Sequence, residues 1–331
     1  MSGLRSVLLL CWRDTGHPQG GGSEAYLQRV GAQLAASGID VTLLTARYPG
    51  APRREVVDGV RIHRAGGRYS VYVWALPAMA AARLRLGPLR RSVRLLSEFR
   101  HERTDPARFY RTLAADTAAM VGDLWFGIRG EPPAGRTLLD IGGGPGYFAA
   151  AFADAGVRYL GVEPDPSEMH AAGPVVAGVA GRLVRASGMA LPFADDSVDI
   201  CLSSNVAEHV PRPWQLGGEM LRVTKPGGLA VLSYTVWLGP FGGHEMGLTH
   251  YLGGARAAAR YARKHGHPAK NNYGSSLFAV SAADGLDWAA STGAALAAFP
   301  RYHPRWAWWL TSVPVLREFL VSNLVLVLQP R

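Results

Sequence analysis

The chain has 331 residues, 48% hydrophobic and only 18% charged, which excludes a disordered polymer and leaves room for one large or two ordinary domains. The formal net charge is +10, yet residues 137–331 carry 15 basic against 14 acidic side chains, so the excess lies in the first part. A phosphate-tracking, nucleic-acid-binding surface on the C-terminal part is therefore not expected.

Ser6–Trp12 reads as a strand, followed by a polar loop ending Gln19-Gly20-Gly21-Gly22-Ser23-Glu24. A helix through Ala36, a strand at Asp40–Thr45 and a hairpin over Glu55–Arg64 turning at Asp58-Gly59 follow. Around Leu86-Gly87-Pro88 the pattern changes, and a break in helix is expected there. This divides the chain into a partial α/β fragment, residues 1–86, and a larger domain, residues 87–331.

The second part opens with helices at Arg91–Phe99 and Pro106–Val121, the latter with Phe109, Leu113, Ala114, Thr117 and Met120 on one face. The stretch Thr137–Phe148 then runs an apolar strand into Asp140, turns through Gly142, Gly144 and Gly146, and enters a helix. Glycines permit positive φ and let a backbone approach a ligand with no Cβ in the way. The next strand, Tyr159–Val162, ends in Glu163, an acid placed to accept hydrogen bonds from ribose hydroxyls.

Beyond it lie Leu183–Ala186, then Ser187-Gly188-Met189, and Leu191–Asp199 leading into a strand at Ile200–Ser204. Asn205 and the pair Glu208-His209 follow that strand. A helix ending near Val223 is closed by Lys225–Gly228, and Leu229–Tyr234 is a fifth strand. A dinucleotide fingerprint starting at Gly142 would want glycine at Tyr147, which argues against a nicotinamide enzyme.

Residues 136–234, on Asp140–Gly146, Glu163, Leu191–Asp199, Glu208-His209 and Lys225–Gly228, resemble the class I S-adenosylmethionine-dependent methyltransferases. That resemblance implies a Rossmann-like, doubly wound, mostly parallel seven-stranded sheet and S-adenosyl-L-methionine as cofactor. It implies that Asp140, Gly142, Gly144 and Gly146 line the methionine and ribose part, and that Glu163 holds the ribose diol. Gly188 and Met189 would flank the adenine, and Asn205 would sit beside the methionine moiety. Ser187-Gly188 departs from the acid-Ala pair of many relatives, leaving backbone for the adenine amino contact; Met189 reads equally as a core-edge side chain.

Residues 1–86, on the Gly20–Glu24 loop, the strand ending Thr45-Ala46-Arg47 and Val57–Val60, resemble the N-terminal domain of retaining nucleotide-sugar glycosyltransferases. In that family the glycine-rich loop lies near the donor's phosphates, where helix N–H groups favour negative charge. Nothing further along the chain matches the family's second, donor-holding domain.

Methyl transfer needs alignment, exclusion of water and, for an acidic acceptor, a base. The insertion Trp237–Val280 is expected to build the acceptor pocket, and His244, His250 and His209 are the candidate bases. The spacing of His244, Glu245 and His250 matches no zinc pattern, so no metal is expected. Arg256, Arg260, Arg263 and Lys264 form either a solvated helix face or a grip on an anionic or membrane-surface acceptor. The tail from Tyr302 is expected to complete the sheet with an antiparallel pair, its tryptophans Trp306, Trp308 and Trp309 in the core.

Cys11 and Cys201, both in apolar runs, read as buried thiols of a reducing compartment. Val7–Trp12 is too short for a signal-peptide core. The apolar tail is interrupted by Pro314, Arg317, Glu318 and Asn323, short of the about 20 apolar residues of a span. A cytoplasmic enzyme acting on a small-molecule or lipid-like substrate, with peripheral membrane contact open, is the expectation. A catalytically silent cofactor-binding module and a remnant glycosyltransferase are the alternatives.

Overall fold

The protein is described by a computed structural model over residues 6–71, 87–101, 104–170 and 182–331. Two compact units emerge, Met1–Arg90 and Arg91–Arg331.

In the first unit β1 (Ser6–Leu10), β2 (Asp40–Thr45), β3 (Arg54–Val57) and β4 (Val60–Arg64) form one sheet in the order β1-β2-β4-β3. The β3–β4 pair is antiparallel and turns at Asp58 (φ 52°) and Gly59 (φ 79°), the double left-handed turn that asparagine, aspartate and glycine tolerate. The helix Gly22–Ala36 packs on this sheet through Gly31, where a Cβ would stand 3.0 Å from Val60. Leu9, Val41 and Ile62 complete that small core. Cys11 is only partly buried, whereas Cys201 of the second unit is fully enclosed.

The second unit is built on seven strands: β5 (Thr137–Ile141), β6 (Arg158–Val162), β7 (Leu183–Val184), β8 (Val198–Ser204), β9 (Thr224–Thr235), β10 (Ala295–Pro300) and β11 (Asn323–Leu328). Their order is β10-β11-β9-β8-β5-β6-β7, and only β11 runs against its neighbours. This is the Rossmann-like arrangement expected. Its strands are apolar on both faces because both are covered. Leu138, Ile200, Leu202 and Val231 face one core with Phe109, Leu113 and Phe152, while Leu139, Cys201 and Leu232 face the other with Leu216 and Met220.

Three expectations change. Gly87-Pro88 does not break a helix but starts one, Gly87–Glu98, because the first turn needs no N–H from proline. The helix from Pro106 runs to Arg129, not Val121, and stops at Gly130 in the left-handed region. The tail tryptophans are not all core: Arg305–Ser312 is a 3-10 helix in which Trp306 and Trp309 are more than half exposed, and only Trp308 stacks on Phe299 at 4.3 Å.

Candidate active site

Parallel pairing sets Asp140 beside Gly161 and Leu202, so β5, β6 and β8 end level with one another. Asp140, the Gly142–Gly146 turn, Glu163 and Asn205 therefore gather at the carboxyl edge of adjacent strands, where open α/β sheets bind ligands. Gly142, Gly144 and Gly146 have φ of 73°, 53° and 80°. A Cβ on Gly142 would stand 2.5 Å from Val206, whereas one on Gly144 would meet nothing within 4 Å. Bare backbone at Gly144 thus borders open space rather than a packed wall. The Gly144 N–H donates to Glu163 Oε2 at 3.0 Å, and the Asp165 N–H donates to Glu163 Oε1 at 3.0 Å. Each oxygen keeps a second acceptor site.

Asp140 is fully buried and accepts a 2.6 Å hydrogen bond from the Tyr159 hydroxyl. Burial pushes its pKa up to about 7, against the pull of Tyr159 and with a push from Glu163. Its folded pKa exceeds the ordinary 3.8, so the folded chain keeps a proton that the unfolded chain releases. This contribution to stability is full below about pH 4 and is lost as pH rises through about 7, at no more than ~1.4 kcal/mol per pH unit. Asp140→Asn is neutral at every pH, so its unfolding free energy should gain on wild type between about pH 4 and 7. Denaturant midpoints at several pH values check this, and a constant gap would exclude it.

The other expected cofactor residues sit at the same edge with different constraints. A Cβ on Gly188 would stand 2.6 Å from Ile141, so packing alone demands glycine there. Met189 lies against the core and its carbonyl accepts from Gln215 Nε2 at 2.8 Å. Asn205 adopts φ 58° and its Oδ1 accepts from Asn323 Nδ2 at 2.6 Å, which fixes the side chain. Sequence reasoning missed Arg301, wholly buried, which donates to Ser204, Ser233 and Thr117 at 2.7, 3.2 and 2.6 Å. It ties the ends of β8 and β9 to the helix Pro106–Arg129; scattered hydroxyl partners leave no motif to read.

Two of the three candidate histidines come together. His209 and His244 rings lie 5.1 Å apart, edge to face. His209 Nδ1 is 2.8 Å from the Ser276 carbonyl. His244 sits in left-handed backbone, φ 46°, and burial pushes its pKa below the ordinary histidine range against the pull of Glu208. Its Nδ1 is 3.4 Å from Asn271 Nδ2, which donates more closely to Glu245 Oε1 at 3.1 Å. His250, 1% exposed, holds Nδ1 against the Gly247 carbonyl at 2.8 Å and packs between Trp237 and Tyr251. A ring so enclosed reads as a support of the insertion. Glu208, 1% exposed, accepts the Thr235 N–H at 3.0 Å, a burial that the Glu-His pair alone did not foretell.

The Gly20–Glu24 loop of the first unit does open a helix. Glu24, however, fills that helix's N-terminus itself, accepting from Gly21 N at 2.8 Å and pairing with Arg13 at 2.9 Å. A separate cavity of about 370 Å³ is lined by Trp12, His17, Arg47, Tyr48 and Arg68 among others.

A family model described as a methyltransferase domain matches residues 139–232. An uncharacterized methyltransferase of Mycobacterium avium is 87% identical over 247 residues, 75% of this chain and 98% of that protein. Another, of Mycobacterium tuberculosis, is 85% identical over 246 residues, 74% of this chain and 97% of that protein. Among solved structures, a geranyl diphosphate C-methyltransferase of Streptomyces coelicolor is similar at 14% identity and TM-score 0.42, covering 64% of this chain and 79% of that one.

Proposed function

The chain belongs to the methyltransferase family of these mycobacterial proteins, and from that premise we propose that it transfers a methyl group from S-adenosylmethionine to a small-molecule or lipid-like acceptor. The observation that carries the reading is the Gly142–Gly146 turn, bare at Gly144 and hydrogen-bonded to Glu163 at the carboxyl edge of the sheet. When bound, the cofactor supplies an electrophilic methyl on a sulfonium sulfur. Asp140, Gly142, Gly144 and Gly146 would line its methionine and ribose part, Glu163 would accept from the ribose hydroxyls, and Gly188, Met189 and Asn205 would border the rest. His244 or His209, on the acceptor side, would take the acceptor's proton, and His250 would support the wall behind them.

Isothermal calorimetry with the purified protein tests the cofactor assignment: one molecule of S-adenosylmethionine or its demethylated product per chain is expected. A folded protein that binds neither would overturn it, and labelled methyl incorporation into extracts would identify the acceptor.

The lipid-like option has a surface to support it. Leu248, Tyr251 and Leu252 are exposed, Tyr251 lies 6.3 Å from exposed Phe319, and the helix Gly254–His265 presents Arg256, Arg260, Arg263 and Lys264 to solvent. Apolar side chains beside a basic helix suit the surface of an anionic membrane. No helix among the described residues is long and apolar enough to cross one. Sedimentation with anionic vesicles should retain the protein and Leu248→Asp should release it; equal retention would remove this option.

For residues 1–86 the proposal is a glycosyltransferase-like fragment with no part in the methyl transfer. The mycobacterial relatives are matched over almost their whole length and leave a quarter of this chain unmatched. A chain beginning at Gly87, which preserves the helix Gly87–Glu98, should bind S-adenosylmethionine as the full chain does. Loss of binding would place an essential part of the enzyme before residue 87.

A further inference from the structure

Glu208, His209 and His244 bring three ligand atoms within 4.8 Å of one another. We propose that these side chains hold one divalent cation of the zinc class at the acceptor side; its role rests on the methyl-transfer reading, its binding does not. Two imidazoles and one carboxylate with a free position are the donor set of catalytic zinc.

Each ligand is prepared in a different way. Glu208 is anchored by the Thr235 N–H at Oε1, while its Oε2 is buried without a hydrogen-bond partner. A bare carboxylate oxygen in the interior is costly unless a cation or donor meets it. His209 gives its Nδ1–H to the Ser276 carbonyl, which leaves the Nε2 lone pair for a metal and is the outer-shell contact that ligating histidines make. His244 Nε2 is likewise buried and unpartnered. Zinc–ligand bonds of about 2.1 Å set tetrahedral ligand atoms about 3.4 Å apart, so closure asks for movements of an ångström or so.

The site follows Asn205 by three residues, at the sheet edge where the cofactor residues gather. With the ion bound, His209 and His244 would serve as its ligands in place of acting as the base. An acceptor hydroxyl at the free position would be acidified: its O–H bond breaks, the proton passes to water, and the electron pair stays on the oxygen that takes the methyl. The acceptor class is then a phenol, enol or similar oxygen acid.

The test uses the full chain, stripped with a chelator and titrated with zinc chloride by calorimetry. One ion per chain is expected, with affinity reduced at least about tenfold in His209→Ala, His244→Ala and Glu208→Gln. Cobalt loading gives a second readout, a visible band whose position and intensity report nitrogen and oxygen ligands and which each variant should alter. Thermal melting confirms that a variant is folded, and His209→Asn serves where alanine is not tolerated. No stoichiometric binding by folded wild type would overturn the proposal. So would binding that survives all three variants and disappears instead with the exposed pair His265 and His267. Titrating the same stripped protein with S-adenosylmethionine separates the two readings: cofactor binding without zinc binding defeats this one alone, and zinc binding without cofactor binding defeats methyl transfer alone.

Discussion

His244→Ala should lower methyl transfer by about 10²–10⁴-fold, the range for losing a positioned acid–base group, with cofactor affinity unchanged. The ring belongs to the insertion Trp237–Val280 and faces His209, while the Gly144–Glu163 hydrogen bond does not involve it. His244 sits in left-handed backbone at φ 46°, as Asp58, Asp196, Asn205 and Val315 also do. His250→Ala is the contrasting variant: its ring is sealed between Trp237 and Tyr251, so thermal stability should fall more than turnover per folded molecule. Near-normal turnover in His244→Ala, measured by labelled methyl incorporation, would transfer the role to His209 or to the acceptor itself.

Much of this was legible from local pattern. Two-sided apolar runs marked the buried parallel strands, and the acid–glycine–acid order of Asp140, Gly142–Gly146 and Glu163 lies on adjacent strands as that order requires. What escaped was whatever depends on partners distant in the chain. Glu208 and His244 come from segments either side of β9, so no spacing rule connects them. Gly188 reads as a ligand glycine, and the structure adds a packing reason that no local pattern carries, since Ile141 stands 2.6 Å from where its Cβ would be. Pro88 looked like a breaker because proline in a helix interior is one, while in the first turn the same ring is at home. Trp306 and Trp309 looked like core because tryptophan usually is, but a short 3-10 helix turns few of its residues inward.

The second large effect is expected at Glu163. Glu163→Ala should weaken S-adenosylmethionine binding by about 1–3 kcal/mol, roughly 5–150-fold, the scale for removing charge-assisted hydrogen bonds. Two losses combine in it. The ribose hydroxyls lose their acceptor, and the Gly144 and Asp165 N–H groups lose the carboxylate that holds the turn in shape. Glu163→Gln tells them apart, because an amide keeps one oxygen and replaces the other with a donor that faces an N–H. If the turn matters more, the glutamine variant would be nearly as weak as the alanine variant; if the ribose matters more, one remaining oxygen preserves part of the affinity. Burial pushes the Glu163 pKa above the ordinary carboxylate range, with the two backbone N–H groups pulling it back. As pH falls through that raised value the carboxylate is lost, so wild-type affinity should decline on the acid side while Glu163→Gln stays flat. Calorimetry showing equal affinity for wild type and Glu163→Ala, both folded, would end the ribose assignment, because the next acid along, Asp165, is already engaged by the N–H and hydroxyl of Ser167 at 2.8 and 2.7 Å.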